Sequence, residues 1–268
     1  MKFSDLISLL GNAAPKKGLS QNFLIDPNIV QKIVRTAGVQ AGETILEIGP
    51  GPGALTQALL LQGAKVIAVE KDAALAEALW RLQTPDSRLK VYTADILDFP
   101  IPNQAKIVAN LPYHITTPIL EKIFATPFCS CTLMVQKEVA ERLMAKASTK
   151  AFGSLTLFLQ AHGAITDSFA VAASCFYPKP NVESTVIRID ARPIAIENPE
   201  SFFTLVRRAF QQRRKMLTSS LKELYPTLLV HSALETSGAR KDARPEMLEF
   251  SQWLSFYNQL KSFCSQLP

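Results

Sequence analysis

Residues 44–61 read TILEIGPGPGALTQALLL. The first five, Thr44 to Ile48, are a short β-branched apolar run of the kind that forms a buried strand, and from Ala54 onward Leu55, Leu59 and Leu60 fall at roughly helical spacing. Between strand and helix, Gly49, Gly51 and Gly53 alternate with Pro50 and Pro52. Glycines at such a junction let the backbone take left-handed angles and approach a ligand closely. A tight turn by itself accounts for one or two of these glycines, and three in alternation point to a binding turn at the carboxyl end of a strand.

Outward from this stretch the same alternation continues. KVIAVE at 65–70, LKVYTA at 89–94 and KIVAN at 106–110 read as strands, with Leu75, Leu79 and Leu82 at helical spacing in between. Strands alternating with helices predict a parallel sheet covered by helices. Upstream, Asp26 and Pro27 followed by Ile29, Val30, Ile33 and Val34 predict an N-cap, a first-turn proline and an amphipathic helix, pinning the preceding polar stretch near the sheet. Downstream, CTLMVQ at 131–136, a mixed apolar region at 155–173 and VESTVIRI at 182–189 read as the final strands. After the stretch between Asp190 and Glu200 the pattern is helical to the end, so the expected division is a sheet domain over 1–192 and a small helical domain over 193–268.

Glu70 ends the second of these strands, twenty-one residues after Gly49, which suits a carboxylate accepting from ribose hydroxyls. The turn, read through Gly49, Gly51 and Ala54, also satisfies a permissive dinucleotide fingerprint, so a nicotinamide enzyme is a competing reading. Pro50 and Pro52 count against it: they remove two N–H donors from a turn that would have to cradle a pyrophosphate. S-adenosylmethionine has a nucleoside and no phosphate. Asp95, after the third strand, is placed either to accept from the adenine amine of such a cofactor or to cap a turn.

After the fourth strand comes Asn110-Leu-Pro-Tyr113. The exocyclic amine of adenine is a poor nucleophile because its lone pair is delocalised into the ring, so methyl transfer needs the amine oriented by acceptors. Asn110 offers a side-chain carbonyl, Leu111 a main-chain carbonyl, and Tyr113 a face for a flipped base. His114 reads as a lining residue rather than a base. Phe176, in Phe176-Tyr-Pro-Lys-Pro-Asn-Val182, forms either the opposite wall of a base pocket or part of the core.

These motifs, taken in order with Gly18-Leu-Ser-Gln-Asn-Phe-Leu24, Gln136-Lys-Glu138, Phe176 to Ser184 and Ala209-Phe-Gln-Gln-Arg-Arg-Lys215, resemble over almost the entire chain the bacterial rRNA adenine N(6),N(6)-dimethyltransferases associated with kasugamycin sensitivity. The resemblance implies a Rossmann-like α/β methyltransferase sheet with a small C-terminal helical domain, and S-adenosylmethionine as donor. It further implies dimethylation of two adjacent adenines in the 3′-terminal hairpin loop of small-subunit (16S) rRNA, and a role late in small-subunit assembly. On the same ground Asn22, Leu24, Gly49, Glu70, Asp95 and Asn110 are expected to contact the cofactor, and Asn110, Leu111, Tyr113 and Phe176 the target base. His114 stands where Asn is common and Phe152 where Tyr often precedes glycine. A large-subunit rRNA methyltransferase, a DNA-adenine or protein-glutamine methyltransferase, and a non-catalytic assembly factor are the alternatives.

The bulk numbers agree with such a partner without selecting it. Lys and Arg total 29 against 23 acidic residues, a formal net charge of +6, which favours polyanions. Arg207, Arg208, Arg213, Arg214, Lys215 and Lys222 lie in a helix and following turn with no acidic residue from 207 to 222, and are expected to meet RNA phosphates. Cys129, Cys131, Cys175 and Cys264 have no metal-ligand spacing and read as buried reduced thiols, so no metal is expected. Leu6–Leu10 is too short and interrupted for a secretory signal, no stretch is long enough to span a bilayer, and no duplex-reading domain is found. A cytoplasmic monomer that binds rRNA, and not DNA or membrane, is expected.

Overall fold

The structure is a computed structural model and describes residues 21–81, 88–192 and 196–264. Leu6–Leu10, Gly18–Ser20 and Leu82 lie outside the described residues. Compact packing divides the chain into two units, one running to Ala140 and including Ala164–Ala191, the other made of Glu141–Gly163 and the chain from Arg192. The second unit therefore takes in 141–163, a segment that a boundary at residue 192 leaves with the sheet.

In the first unit β1 (Phe23–Leu24) leads into α1 (Pro27–Ala37). The Asp26 carboxylate caps this helix by accepting from the Asn28 and Ile29 amides at 2.8 and 3.3 Å. Val30, Ile33, Val34 and Ala37 form its buried face, and Gly38 ends it at φ 59°. Then come β2 (Thr44–Ile48), α2 (Ala54–Leu61), β3 (Lys65–Glu70), α3 (Ala73–Trp80), β4 (Leu89–Thr93), β5 (Ala105–Asn110), α4 (Thr116–Phe124) and β6 (Phe128–Gln136). α5 (Lys137–Leu143) follows, and β7 (Gly163–Val171), β8 (Phe176–Tyr177) and β9 (Ser184–Ala191) complete the strands.

Seven strands form one sheet in the order β4-β3-β2-β5-β6-β9-β7, and β1 pairs with β8 in a separate two-stranded ladder. The first five strands of that order run parallel and β9 is antiparallel to β6. Helices cover such a sheet on both faces, which is why its central strands read as continuous apolar runs; Ile45, Leu46, Ile48, Ile107 and Val108 are all buried. The chain steps outward from β2 to β4 and then returns to β5 on the other side of β2. The connections leaving β2 and β5 consequently diverge and open a crevice at their carboxyl ends. Both motifs singled out from the sequence, the glycine turn and Asn110-Leu-Pro-Tyr113, leave the sheet there.

Two expectations are corrected. Residues 154–162 are a helix, α6 (Ser154–His162), and only Gly163–Val171 of the mixed apolar region is strand. Leu155, Leu157, Phe158, Leu159 and Ala161 are buried around most of the helix, and a helix buried on all sides has no polar face for periodicity to reveal. Cys129 is exposed, whereas Cys131 is buried: the register against β5 shifts there, Ala105 facing Phe128 and Lys106 facing Ser130, so Cys129 is the extra residue of a bulge and breaks the alternation.

The second unit contains α6, α7 (Pro199–Gln211), α8 (Leu217–Ser220), α9 (Thr227–Thr236) and α10 (Phe250–Cys264). Its core is aromatic: Phe158 stands edge-on to Phe203 at 4.3 Å between centroids, Phe202 to Tyr257 at 5.5 Å, and Trp253 stacks on Phe210 at 6.0 Å. Phe152 is 1% exposed and 6.4 Å from Phe210, a buried position at which phenylalanine brings no hydroxyl to satisfy. Among the described residues no helix is long and apolar enough to cross a membrane, and no cluster of His, Cys, Asp or Glu has the arrangement to hold a metal ion.

Candidate active site

The glycine turn is held by its neighbours rather than by its own hydrogen bonds alone. The Gly49 amide donates to the Val69 carbonyl at 2.9 Å. The Glu70 carboxylate accepts from the Gly51 amide at 3.0 Å through Oε2 and from the Asp72 amide at 2.8 Å through Oε1. Gly49, Gly51 and Gly53 all have positive φ, at 64°, 56° and 85°. A Cβ on Gly51 would lie 3.1 Å from the Phe23 ring, and one on Gly53 only 2.6 Å from Leu79. At Gly51 and Gly53 a side chain would thus meet both a left-handed backbone and a close neighbour, and at Gly49 the backbone alone.

Around it lies a cleft of about 1030 Å³, including the space open to solvent. The sequence-selected Asn22, Leu24, Gly49, Glu70, Asp95, Asn110, Leu111 and Tyr113 all line it. So do Glu47, Phe23 and Lys71, which the sequence reading did not single out as contacts. Phe23 stands between two selected residues of its motif, and that position was the available signal; Lys71 had none beyond following Glu70.

The carboxyl groups of the cleft differ in state. Glu47, 1% exposed, has its carboxyl pushed up to about 8 by burial, with Thr56 opposing and Glu70 adding to the shift. Its Oε2 is buried without a hydrogen-bond partner. Burial also raises the Glu70 carboxyl, against the pull of the Asp72 and Gly51 amides. Asp95 moves the other way: the Lys71 ammonium, 2.7 Å from its Oδ2, holds it down, helped by the Leu97 amide on Oδ1.

These residues fit S-adenosylmethionine. Each Glu70 oxygen uses one acceptor site on a backbone amide and keeps another for a ribose hydroxyl. The Asp95 carboxylate gives negative potential to a cofactor that carries a sulfonium and an ammonium, and the orphaned oxygen of the neutral Glu47 acid is left for a polar group of the ligand. The wall also includes apolar Leu75, Ile96 and Pro112, which suit a purine ring.

On the β5 side, Asn110 Nδ2 donates to the Asn22 carbonyl at 3.1 Å. A carbonyl only accepts, so the amide nitrogen must face Asn22 and Oδ1 must point elsewhere. The Leu111 amide is tied to the Met134 carbonyl at 3.0 Å, which fixes the peptide that follows Asn110. Tyr113 shares a 2.5 Å hydrogen bond with the fully buried Ser184, and burial raises its phenol. His114 is exposed at the cleft. Phe176 is not brought to the cleft: it is 3% exposed and packs with Leu24, Val30 and Val34, in keeping with the core alternative for that residue.

The six basic residues divide as well. Arg208 pairs with Glu223. Arg213 donates to the Lys150 and Thr149 carbonyls at 2.7 and 3.0 Å and stands 3.8 Å from Glu246. Arg207 lies over the Phe158 ring at 5.7 Å. Arg214, Lys215 and Lys222 are exposed and form no ion pair among the described residues. The acids missing from the local sequence are supplied by Glu223 and Glu246 through the fold.

Known proteins share this architecture and much of this sequence. The pattern of the ribosomal RNA adenine dimethylase family matches residues 12–262. A ribosomal RNA small subunit methyltransferase A from Protochlamydia amoebophila is 45% identical over 261 residues, covering 92% of each chain. One from Chlamydia trachomatis is 44% identical over 264 residues, covering 93% of this chain and 94% of its own. Among solved structures, a dimethyladenosine transferase from Plasmodium falciparum superposes with a TM-score of 0.78 at 25% identity, over 90% of this chain and 98% of that one. The 23S rRNA methyltransferase ErmE does so with 0.70 at 27% identity, over 90% and 100%. The chain belongs to the ribosomal RNA adenine dimethylase family and is a Rossmann-like methyltransferase with S-adenosylmethionine as its methyl donor.

Proposed function

We propose that this enzyme dimethylates two adjacent adenines in the 3′-terminal hairpin loop of small-subunit rRNA, and that it binds the subunit late in assembly. The observation that carries the reading is the Asn110 amide, turned by the Asn22 carbonyl so that its oxygen is left for an incoming amine. The curated relatives named above support the small subunit as substrate.

The cofactor supplies a methyl group on a sulfonium, which is already an activated leaving group. Everything asked of the chain is positioning. Asn110 Oδ1 and the Leu111 carbonyl accept from the two protons of the adenine amine and direct its lone pair, and Tyr113 offers a ring face to the base. Glu70 holds the ribose and the glycine turn, and Asp95 accepts from the cofactor's adenine amine once Lys71 yields its place. The methylated amine loses its proton to water, for which the exposed His114 is not required. Asn22, Leu24 and Gly49 complete the cofactor contacts. Of the basic residues, Arg214, Lys215 and Lys222 make the main phosphate contacts, Arg207 and Arg208 secondary ones, and Arg213 chiefly braces the second unit. The enzyme acts in the cytoplasm, as a monomer, and not on DNA.

The test is to incubate the protein with labelled S-adenosylmethionine and, separately, undermethylated small subunits, large subunits and duplex DNA, and to map the labelled nucleotide. Dimethyladenine confined to the small-subunit 3′ hairpin is expected. Label on the large subunit would redirect the substrate toward that of ErmE, and cofactor binding without label would leave an assembly factor.

A further inference from the structure

Ser184 ends one of the stretches singled out from the sequence, yet it does not line the cleft. It opens β9 directly opposite Gln136, the last residue of β6, and is fully buried. The Lys137 amide donates to the Glu183 carbonyl at 3.0 Å, and the Lys137 ammonium donates to the Glu183 carboxylate at 2.9 Å. Gln136 and Lys137, from another of those stretches, therefore fix where β9 begins and with it the position of the Ser184 hydroxyl.

β6 lies between β5 and β9 in the sheet, so Ser184 stands two strand spacings, roughly 10 Å, from β5. The chain leaving β5 covers part of that interval: the Leu111 amide reaches the Met134 carbonyl of β6, and Pro112 leads into a short 3-10 turn, Tyr113–Ile115. The Tyr113 side chain covers the rest and shares its 2.5 Å hydrogen bond with Ser184. The ring is thereby held at both ends of its long axis, at Cβ by the turn and at Oη by β9. Of the staggered χ1 wells open to a tyrosine, only one that carries Oη to Ser184 keeps that bond. A phenylalanine would keep the ring and lose its second point of attachment. Because burial raises the phenol, the hydroxyl stays protonated and the bond persists at any assay pH below about 10.

We propose that Ser184 is a positioning residue for methyl transfer, fixing the Tyr113 ring face against which the adenine rests while Asn110 receives its amine. This rests on the proposed adenine methylation and on the role given there to Tyr113. Ser184 acts through Tyr113 alone: its hydroxyl has Tyr113 as its hydrogen-bond partner among the described residues, and its effect is on the angle and depth at which the base sits. Transfer to a sulfonium methyl depends steeply on such placement, so loss of the bond slows the reaction more than it weakens binding of the RNA, which still meets the ring.

The test uses the full-length protein with undermethylated small subunits and compares Ser184→Ala, Tyr113→Phe and the double variant. It reads kcat and KM for the subunit well below each variant's melting temperature, together with the calorimetric Kd for S-adenosylmethionine. Each single variant is expected to lower kcat by about 3- to 10-fold, the range that corresponds to one hydrogen bond, with KM and the cofactor Kd within about 2-fold of the parent. The double variant is expected to be no slower than either single one, because the two side chains act through one bond. A kcat loss below about 2-fold in either single variant, a loss confined to KM, or losses that multiply in the double variant would each overturn the assignment. Should Ser184→Ala fail to fold, Tyr113→Phe, which leaves Ser184 and the ring in place, decides by the same kcat and KM criteria. Failure of the parent protein to methylate adenine would instead overturn the proposed function, a result read before any variant is made.

Discussion

Asn110 acts through a single amide whose orientation is set by one main-chain carbonyl. Removing that amide leaves the fold intact, since the β5 backbone and the Leu111 to Met134 hydrogen bond remain. Asn110→Ala is accordingly expected to lower methyl transfer ~100-fold or more, by analogy with loss of a preorganised polar group, while melting temperature is unchanged; near-normal turnover would remove Asn110 from the reaction. Glu47 makes a different prediction, because its carboxyl titrates at about 8 in the folded protein and near 4.5 as its reference value. Between those values the folded state holds a proton that the unfolded state has lost. The stability associated with the neutral acid is fully present below the unfolded value and is lost as pH rises toward the folded one. The melting temperature of the parent protein should fall from about pH 5 to about pH 8, and Glu47→Gln, which cannot ionise, should flatten that fall. Equal slopes for the two proteins would show that Glu47 is already ionised when folded.

At the level of elements, the strand–turn–helix of β2 and α2 was legible because its signals are local. Alternating glycines, β-branched residues and leucines at helical spacing all act within a few positions of one another. Glu70, Asp95 and Asn110 were legible for a related reason: in a parallel sheet the carboxyl ends of neighbouring strands necessarily meet, so residues at strand ends are brought to one crevice. What could not be read was set by packing between distant segments. The helical state of 154–162 follows from burial on most sides, and the burial of Phe176 in one cluster with Leu24, Val30 and Val34 depends on segments far apart in the chain. The turn also separates two costs of adding a side chain. Gly42 and Gly53 both have φ 85°, but a Cβ at Gly42 meets nothing within 4 Å whereas one at Gly53 lies 2.6 Å from Leu79. Gly42→Ala should therefore cost only the left-handed backbone, about 1–2 kcal/mol, and Gly53→Ala that amount plus about 1–3 kcal/mol of overpacking. Denaturant midpoints of the two variants measure the difference, and equal losses would mean that Leu79 moves aside freely.

Over the whole molecule the positive charge is a weak indicator until it is known which cations are engaged. The net charge of +6 fits a polyanionic partner, and the run from Arg207 to Lys222 marks where contact is expected. Its members differ in what they already hold. Arg213 spends its guanidinium on the Thr149 and Lys150 carbonyls and on Glu246, joining the two chain segments that make up the second unit. Arg214 and Lys215 are exposed, with no ion pair among the described residues. Replacing Arg213 should therefore lower the melting temperature, because the Thr149–Lys150 segment loses its tie to the rest of the second unit, and any loss of RNA binding would follow from that. Replacing Arg214 and Lys215 together by alanine should leave the melting temperature alone and weaken binding to small-subunit RNA without changing which nucleotide is methylated. If both contact phosphates in unpaired RNA, the slope of log K against log salt should become shallower by about 1.4, the counterion release expected for two charges on a single strand. An unchanged slope with an unchanged melting temperature would move the phosphate-binding surface away from this turn, and it would leave the reaction assigned to Asn110 untouched, since that assignment draws nothing from the second unit.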